Sequence, residues 1–191
     1  HEHSDHISGL DMLAKKTSIP VCAPHTVANR LLGRYPSLQE RMRIVPVGES
    51  FPVGDCSVVA FHTPHDTDES VGYRIEGDAV FALATDMGTV TDEIRGGLYG
   101  ADAVLIESNH DLQMLCDGPY PIQLKRRILS TRGHLSNKDC AVLARELADS
   151  GTRCFVLGHL SLENNRPALA EKAVSEALAG YEARLYCAPP V

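Results

Sequence analysis

The chain contains no run of about 18 uninterrupted apolar residues, so no segment reads as a membrane-spanning helix. It also lacks a Cys-x-x-Cys pair. Its six cysteines, at positions 22, 56, 116, 140, 154 and 187, are scattered. In a chain of 191 residues that scatter predicts reduced thiols in a cytoplasmic protein, not a disulfide framework. Cys154, inside Arg153-Cys154-Phe155-Val156-Leu157, reads as a small buried apolar side chain. Positive charge is short as well: 18 Lys and Arg stand against 25 Asp and Glu, for a net charge of −7. That balance argues against a broad basic nucleic-acid surface. A local patch survives in Lys125, Arg126, Arg127, Arg132 and Lys138, readable as a solvated helix face or as a phosphate-facing one. Repeats, low-complexity tracts and linkers are lacking too. With 43% hydrophobic residues, the chain is expected to form a single domain over 1–191.

Against these absences stands the opening His1-Glu2-His3-Ser4-Asp5-His6, which spends three of nine histidines in six positions. In an extended segment His1 and His3 point the same way. Asp5 and His6 then turn with the chain, so the run can hold two cations from its two sides. Imidazole combined with carboxylate suits zinc, manganese or iron better than calcium or magnesium. The plain alternative is an exposed His-rich terminus or a tag remnant. The H-x-H-x-D-H order, leading straight into an amphipathic helix, argues against it.

The hydrophobic pattern predicts a helix over 8–16 capped by Ser8, with Leu10, Leu13 and Ala14 inward. A short strand over 20–23 and a helix over 26–32 follow, with His25 a cap or surface residue. Strands are expected over 44–47 and 57–61, separated by a turn-rich stretch 48–55. A hairpin joins 71–76 to 79–84 across Gly77-Asp78. The second half alternates. Helices over 90–98, 111–115, 122–129, a long one capped by Ser136, and one from Pro167 to Gly180 interleave with strands over 103–106, 154–157 and 184–187. This order predicts an α/β layered domain.

Three further residues fall at strand ends. His65 follows an apolar run, Asp86 follows the strand over 79–84, and His159 follows the strand over 154–157. A carboxylate on such a strand end is costly unless paired or metal-bound. Singly, each is more often a satisfied core or loop residue. Together, beside the opening run, they point to one site, because sites gather at strand termini.

The H-x-H-x-D-H run followed by Ile7-Ser8-Gly9-Leu10 resembles the signature of the metallo-β-lactamase fold. Thr85-Asp86-Met87-Gly88, Glu107-Ser108-Asn109-His110-Asp111, Gly133-His134-Leu135-Ser136-Asn137 and His159-Leu160-Ser161-Leu162-Glu163-Asn164-Asn165 narrow the likeness to the YycJ/WalJ-type subfamily of bacterial hydrolases, which is associated with exonuclease activity on DNA. The resemblance implies an αββα sandwich. It also implies that the first strands are missing, so that the chain is the C-terminal part of a longer domain. It assigns His1, His3 and His65 to one metal, Asp5, His6 and His159 to another, and Asp86 to a bridging position, with zinc or manganese expected and iron an alternative. His62, three residues before His65, leaves the register open there; the loop 66–70 favours His65.

The expected reaction is hydrolysis of a phosphodiester by metal-activated water. Asp5 and His134 are the expected catalytic residues. A similar Gly-His-Ser/Thr motif supplies a catalytic histidine in ribonuclease Z, and a helix starting at Ser136 offers N–H groups to phosphate. Asn137 and His110 are expected to contact substrate, His110 with a structural reading of equal weight. Nucleic acid or another phosphodiester is the expected partner. The span from 65 to 86 leaves no room for the tRNA-gripping arm of bacterial ribonuclease Z, and 86 to 159 is too short for the inserted domain of β-CASP nucleases. Small cyclic phosphodiesters stay open. A di-iron oxidoreductase would carry a carboxylate at position 3 and a flavodoxin domain, and neither is present. A non-catalytic metal-binding module would have lost a ligand, and all seven positions are filled.

Overall fold

The structure, a computed structural model, describes residues 1–189. Its centre is a seven-stranded sheet whose strands lie in chain order: β3 (Ser50–Val53), β4 (Cys56–His62), β5 (Val71–Glu76), β6 (Val80–Ala84), β7 (Ala103–Glu107), β8 (Cys154–Gly158) and β9 (Arg184–Cys187). The first four are antiparallel neighbours, joined by short turns except between β4 and β5, where the loop 63–70 intervenes. From β6 onward the pairing is parallel. Parallel neighbours need crossovers. These are supplied by α4 (Asp92–Leu98), by α5 (Leu112–Asp117), α6 (Ile122–Ile128) and α7 (Asn137–Asp149) together, and by α8 (Pro167–Ala177).

The alternation of strand residues decides the layers. Phe61, Ala82, Ala84, Val104, Ile106, Phe155 and Leu157 face one way and form the main core with α4, α7 and α8. Val58 and Ala60 point to the opposite face. There they meet Val45 and, half-buried, Cys22, which leads to a small parallel sheet of β1 (Val21–Ala23) and β2 (Met42–Ile44). Beyond it lie α1 (Ser4–Ile7), α2 (Leu10–Lys16) and α3 (His25–Arg34), packed through Ile7, Ala14, Val27, Ala28 and Leu31. The order is therefore helices, large sheet, small sheet, helices.

Two local expectations are corrected. The predicted 8–16 helix breaks at Ser8-Gly9. Ser8 closes α1, and α2 starts at Leu10 without a side-chain cap. The inward stripe of α2 then runs along Ala14, leaving Leu13 46% exposed. The stretch read as turns contains β3. Pro52 reads against a strand, but β3 is an edge strand, where the missing N–H faces away from the ladder. Gly48-Glu49 bends ahead of β3 and Gly54-Asp55 makes the turn after it, with Gly48 at φ +79° and Gly54 at φ +59°.

One consequence of the topology positions everything below. β4, β6, β7 and β8 all run in the same direction, so their C-terminal ends share one edge of the sheet. His65, Asp86, Glu107 and His159 lie at or just beyond those four ends.

Candidate metal centre

The opening segment crosses this edge. His1, His3 and His65 converge, each offering a ring nitrogen, with all three nitrogens within 4.8 Å of one another. On the other side Asp5, His6 and His159 form a second group of the same tightness. Asp86 lies between. Its Oδ2 is 3.1 Å from His6 Nε2, and its Oδ1 is 3.6 Å from both His65 Nε2 and His159 Nε2. The seven residues expected from the sequence as ligands thus meet in one place. His62 does not join them: it is exposed and pairs with Glu93.

The backbone is bent to achieve this. Asp86 (φ 55°) and His159 (φ 56°) are the only non-glycine residues in the left-handed region among the described residues. Such a conformation costs about 1–3 kcal/mol and persists where surrounding contacts enforce it. Here it turns each side chain sharply off its strand end into the cluster. Two glycines allow the second support. A Cβ on Gly88 would lie 2.3 Å from the Ser130 carbonyl oxygen, and one on Gly133 2.1 Å from that of Ile128. The 128–133 loop therefore packs directly on the turn after Asp86. Arg132 reaches from this loop to donate to the carbonyls of His65 and Thr67, both at 2.7 Å. His65 Nδ1 lies 3.2 Å from the Gly133 carbonyl, to which it donates, leaving Nε2 free to face the cluster.

Glu107 stands in one of the sequence motifs, but local pattern gives it no role. It is fully buried at the end of β7. Its Oε1 lies 2.8 Å from His134 Nδ1 and 2.7 Å from His159 Nδ1, and its Oε2 accepts from the N–H groups of Met87 and Leu135. One carboxylate thus orients two imidazoles, the usual support behind a metal-binding histidine. A signal for it does exist: an acid ending the apolar strand Ala103-Val104-Leu105-Ile106 must have partners. Glu2 is a second unassigned support. It accepts from Thr67 Oγ1 at 2.7 Å and pairs with Arg30, tying the opening run to the His65 loop and to α3.

Burial and partners set the charges. Burial alone would neutralise Asp86, but His6 and His159 hold its carboxyl well below the usual range. Burial likewise opposes charge on His159, yet the Glu107 hydrogen bond and the nearby carboxylates push its pKa up to about 9. His134 is raised for the same reason, its burial outweighed by Glu107. His65 goes the other way, lowered mainly by burial.

The cluster fits a metal. His1 Nε2 is buried without a hydrogen-bond partner, Asp86 Oδ2 has the His6 ring nitrogen beside it, and three imidazoles face one another at His1, His3 and His65. Buried polar atoms of that kind are normally satisfied. Convergent imidazole nitrogens and a carboxylate oxygen are the donor set for a borderline transition metal.

Beside the cluster opens a cleft of ≈ 300 Å³ lined by Asp5, His134 and His159 and by Tyr120 and Leu124. Arg127 also reaches it, paired with Asp66. Of the remaining basic residues, Arg132 is engaged on the His65 loop and Lys125 donates to the Cys116 carbonyl. A larger cavity of ≈ 650 Å³ between α7 and α8 contains none of the seven ligands. Two of the residues expected from the sequence to contact substrate lie outside this cleft. His110 is 1% exposed and lines none of these spaces. Asn137 is buried with its amide spent on Ser108 and Asn165, because the helix start that it occupies packs inward under the motif 159–165.

The model of the β-lactamase superfamily domain matches residues 1–160. The chain belongs to the β-lactamase superfamily. Within it the chain belongs with YycJ and WalJ. It is 42% identical to the exodeoxyribonuclease YycJ of Bacillus anthracis over 93% of this chain and 68% of that protein. It is 38% identical to the exodeoxyribonuclease WalJ of Streptococcus pneumoniae over 94% of this chain and 68% of that one. Among solved structures, the metallo-β-lactamase fold protein YhfI of Bacillus subtilis superimposes with a TM-score of 0.70 at 15% identity, covering 98% of this chain and 71% of YhfI. That superposition carries the fold. Among the described residues no helix of this superfamily member is long and apolar enough to cross a membrane.

Proposed function

We propose that this chain is a metal-dependent phosphodiesterase that removes nucleotides from DNA ends. The observation that carries the reading is Asp86, a buried carboxylate within 3.6 Å of imidazoles from both ligand groups. His1, His3 and His65 would hold one divalent cation and Asp5, His6 and His159 another, with Asp86 shared; zinc or manganese suits the donors, and iron is an alternative. Bound there, such cations supply Lewis-acid polarisation of a phosphoryl oxygen and make water acidic near neutrality.

The chain's own groups handle the protons. His134 keeps Nδ1 on Glu107, so Nε2 is the atom that can pass a proton to the leaving oxygen, and the carboxylate favours the protonated ring that this needs. Asp5, with a side chain 51% exposed, turns Oδ2 to His6 and His159, which leaves Oδ1 as the oxygen that would take the proton lost by the attacking water. Arg127 gives the cleft a cation for the phosphate chain. Kinship with two exodeoxyribonucleases favours DNA as the strand. Six unpaired cysteines favour the reducing cytoplasm as the place where the chain works.

Elemental mass spectrometry on the wild type and on Asp86→Ala tests the site, with end-labelled DNA testing the activity. The expected result is about two metal equivalents per chain. Asp86→Ala should lose most of that metal and at least about a thousandfold in turnover, since each polarising contact is worth several kcal/mol. A metal-free wild type, or an active Asp86→Ala, would sink the reading.

A further inference from the structure

Aromatic side chains are scarce: six Tyr, four Phe and no Trp. Most pack into the hydrophobic clusters, among them Phe51, Phe61 and Phe155 at their centres and Tyr35, Tyr73 and Tyr181 at their margins. Tyr120, like Phe81, Tyr99 and Tyr186, belongs to none of these clusters. It is half-buried, its hydroxyl makes no hydrogen bond among the described residues, and it is the one Phe or Tyr lining the cleft beside the metal centre. Leu124, one helical turn on, is likewise half-buried outside every cluster and lines the same cleft. The three hydrophobic clusters therefore account for neither residue.

The segment that carries the ring is rigid. Pro119 and Pro121 flank Tyr120 and fix φ on both sides, and Pro121 starts α6. Gly118 closes α5 by donating its N–H to Met114, and Lys125 Nζ bonds the Cys116 carbonyl at 2.6 Å, joining α6 to the end of α5. A ring held this way loses little freedom when a flat group lies against it. His134 and His159, beside which the scissile phosphate would lie, line the same cleft, as does Arg127. The ≈ 300 Å³ of the cleft is of the size of a single nucleotide.

We propose that Tyr120 is the stacking platform for the terminal, unpaired base of the strand being cut. This rests on the nuclease reading above and sharpens it. The substrate is a strand end whose last base leaves its neighbours and lies against Tyr120 and Leu124. The ring is then a specificity-determining residue that acts through binding.

The test uses single-stranded oligonucleotides that are normal, or abasic at the terminal position, at whichever end the wild type attacks. Tyr120→Ala should lower kcat/KM on the normal strand by about tenfold or more, mainly through KM, because base–aromatic stacking is worth that much per base. On the abasic strand the variant should match wild type. Tyr120→Phe should behave as wild type on both. Anisotropy with phosphorothioate versions of the two strands should repeat the pattern in Kd. Metal content and melting temperature of Tyr120→Ala should stay at wild-type values. Equal losses on the two strands, no loss on either, or a Phe variant as poor as Ala would overturn this proposal while leaving the nuclease reading intact. A wild type inactive on both strands would overturn the two together.

Discussion

His159 and His110 are both mostly buried, both lie near Glu107 in space, and yet their chemistry is opposite. His159 has its Nδ1 on Glu107 and its Nε2 towards Asp5 and Asp86, and its pKa is pushed up to about 9. His110 has neither ring nitrogen partnered, and burial pushes its pKa down to about 4. Burial disfavours the cation in both cases, so the carboxylates make the difference. The strand-end edge is built to stabilise positive charge, and the loop a few residues further on is built to exclude it. A metal centre needs the first kind of environment, with its second ring nitrogen fixed by an acceptor.

Removing Glu107 should break the contrast most severely. Glu107→Ala leaves two imidazoles and two backbone N–H groups without their acceptor in a fully buried place. Losing one partner of a buried ion pair costs about 3–5 kcal/mol, readable by urea denaturation. Glu107→Gln keeps the shape and should spare most of that stability. Its metal affinity should still fall about 10–100-fold in a chelator competition, the usual effect of losing a supporting carboxylate. Unchanged affinity would mean that the ligands hold their geometry without it.

His110 gives the next largest effect. Its folded-state pKa lies below the ordinary value of about 6.5, so the folded chain binds fewer protons than the unfolded one. Its contribution is intact above that value and is lost as the pH falls. The loss should be about 2 kcal/mol by pH 5 and about 3 kcal/mol by pH 4. His110→Asn should flatten this part of the stability profile; a variant with the wild-type slope would place the proton elsewhere.

The same contrast marks what the residues alone could tell. The opening run and the three strand-end residues were legible because each breaks a local rule, either a dense group of ligands or a polar side chain ending an apolar strand. The parallel half of the sheet was legible because β7 and β8 are short apolar runs separated by capped helices. Glu107 was not assigned, since its role depends on His134 and His159, which lie 27 and 52 positions away. Local pattern also misjudged β3, where an edge position tolerates Pro52, and Leu13, whose orientation follows from a helix break at Gly9. The equal weight given to two roles for His110 had the same cause: a sequence places a histidine at a strand end without saying which nitrogen meets a carboxylate.

Asn137 supplies the smallest and most discriminating test. Its position at the start of α7, beside His134, reads as a phosphate contact. In the fold its Oδ1 accepts from Ser108 Oγ at 2.7 Å, its Nδ2 donates to Asn165 Oδ1 at 2.8 Å, and Asn165 in turn holds the carbonyls of Ser108 and Asn109. That network fastens the end of β7 to the loop after His159, so its effect on the site is through position. Asn137→Ala should cost about 1–3 kcal/mol from the buried groups it leaves unpaired. KM for an oligonucleotide should hold within about twofold, because a phosphate contact is a charge-assisted bond whose loss would raise KM far more. A tenfold rise in KM with unchanged stability would reverse the assignment and return Asn137 to the substrate.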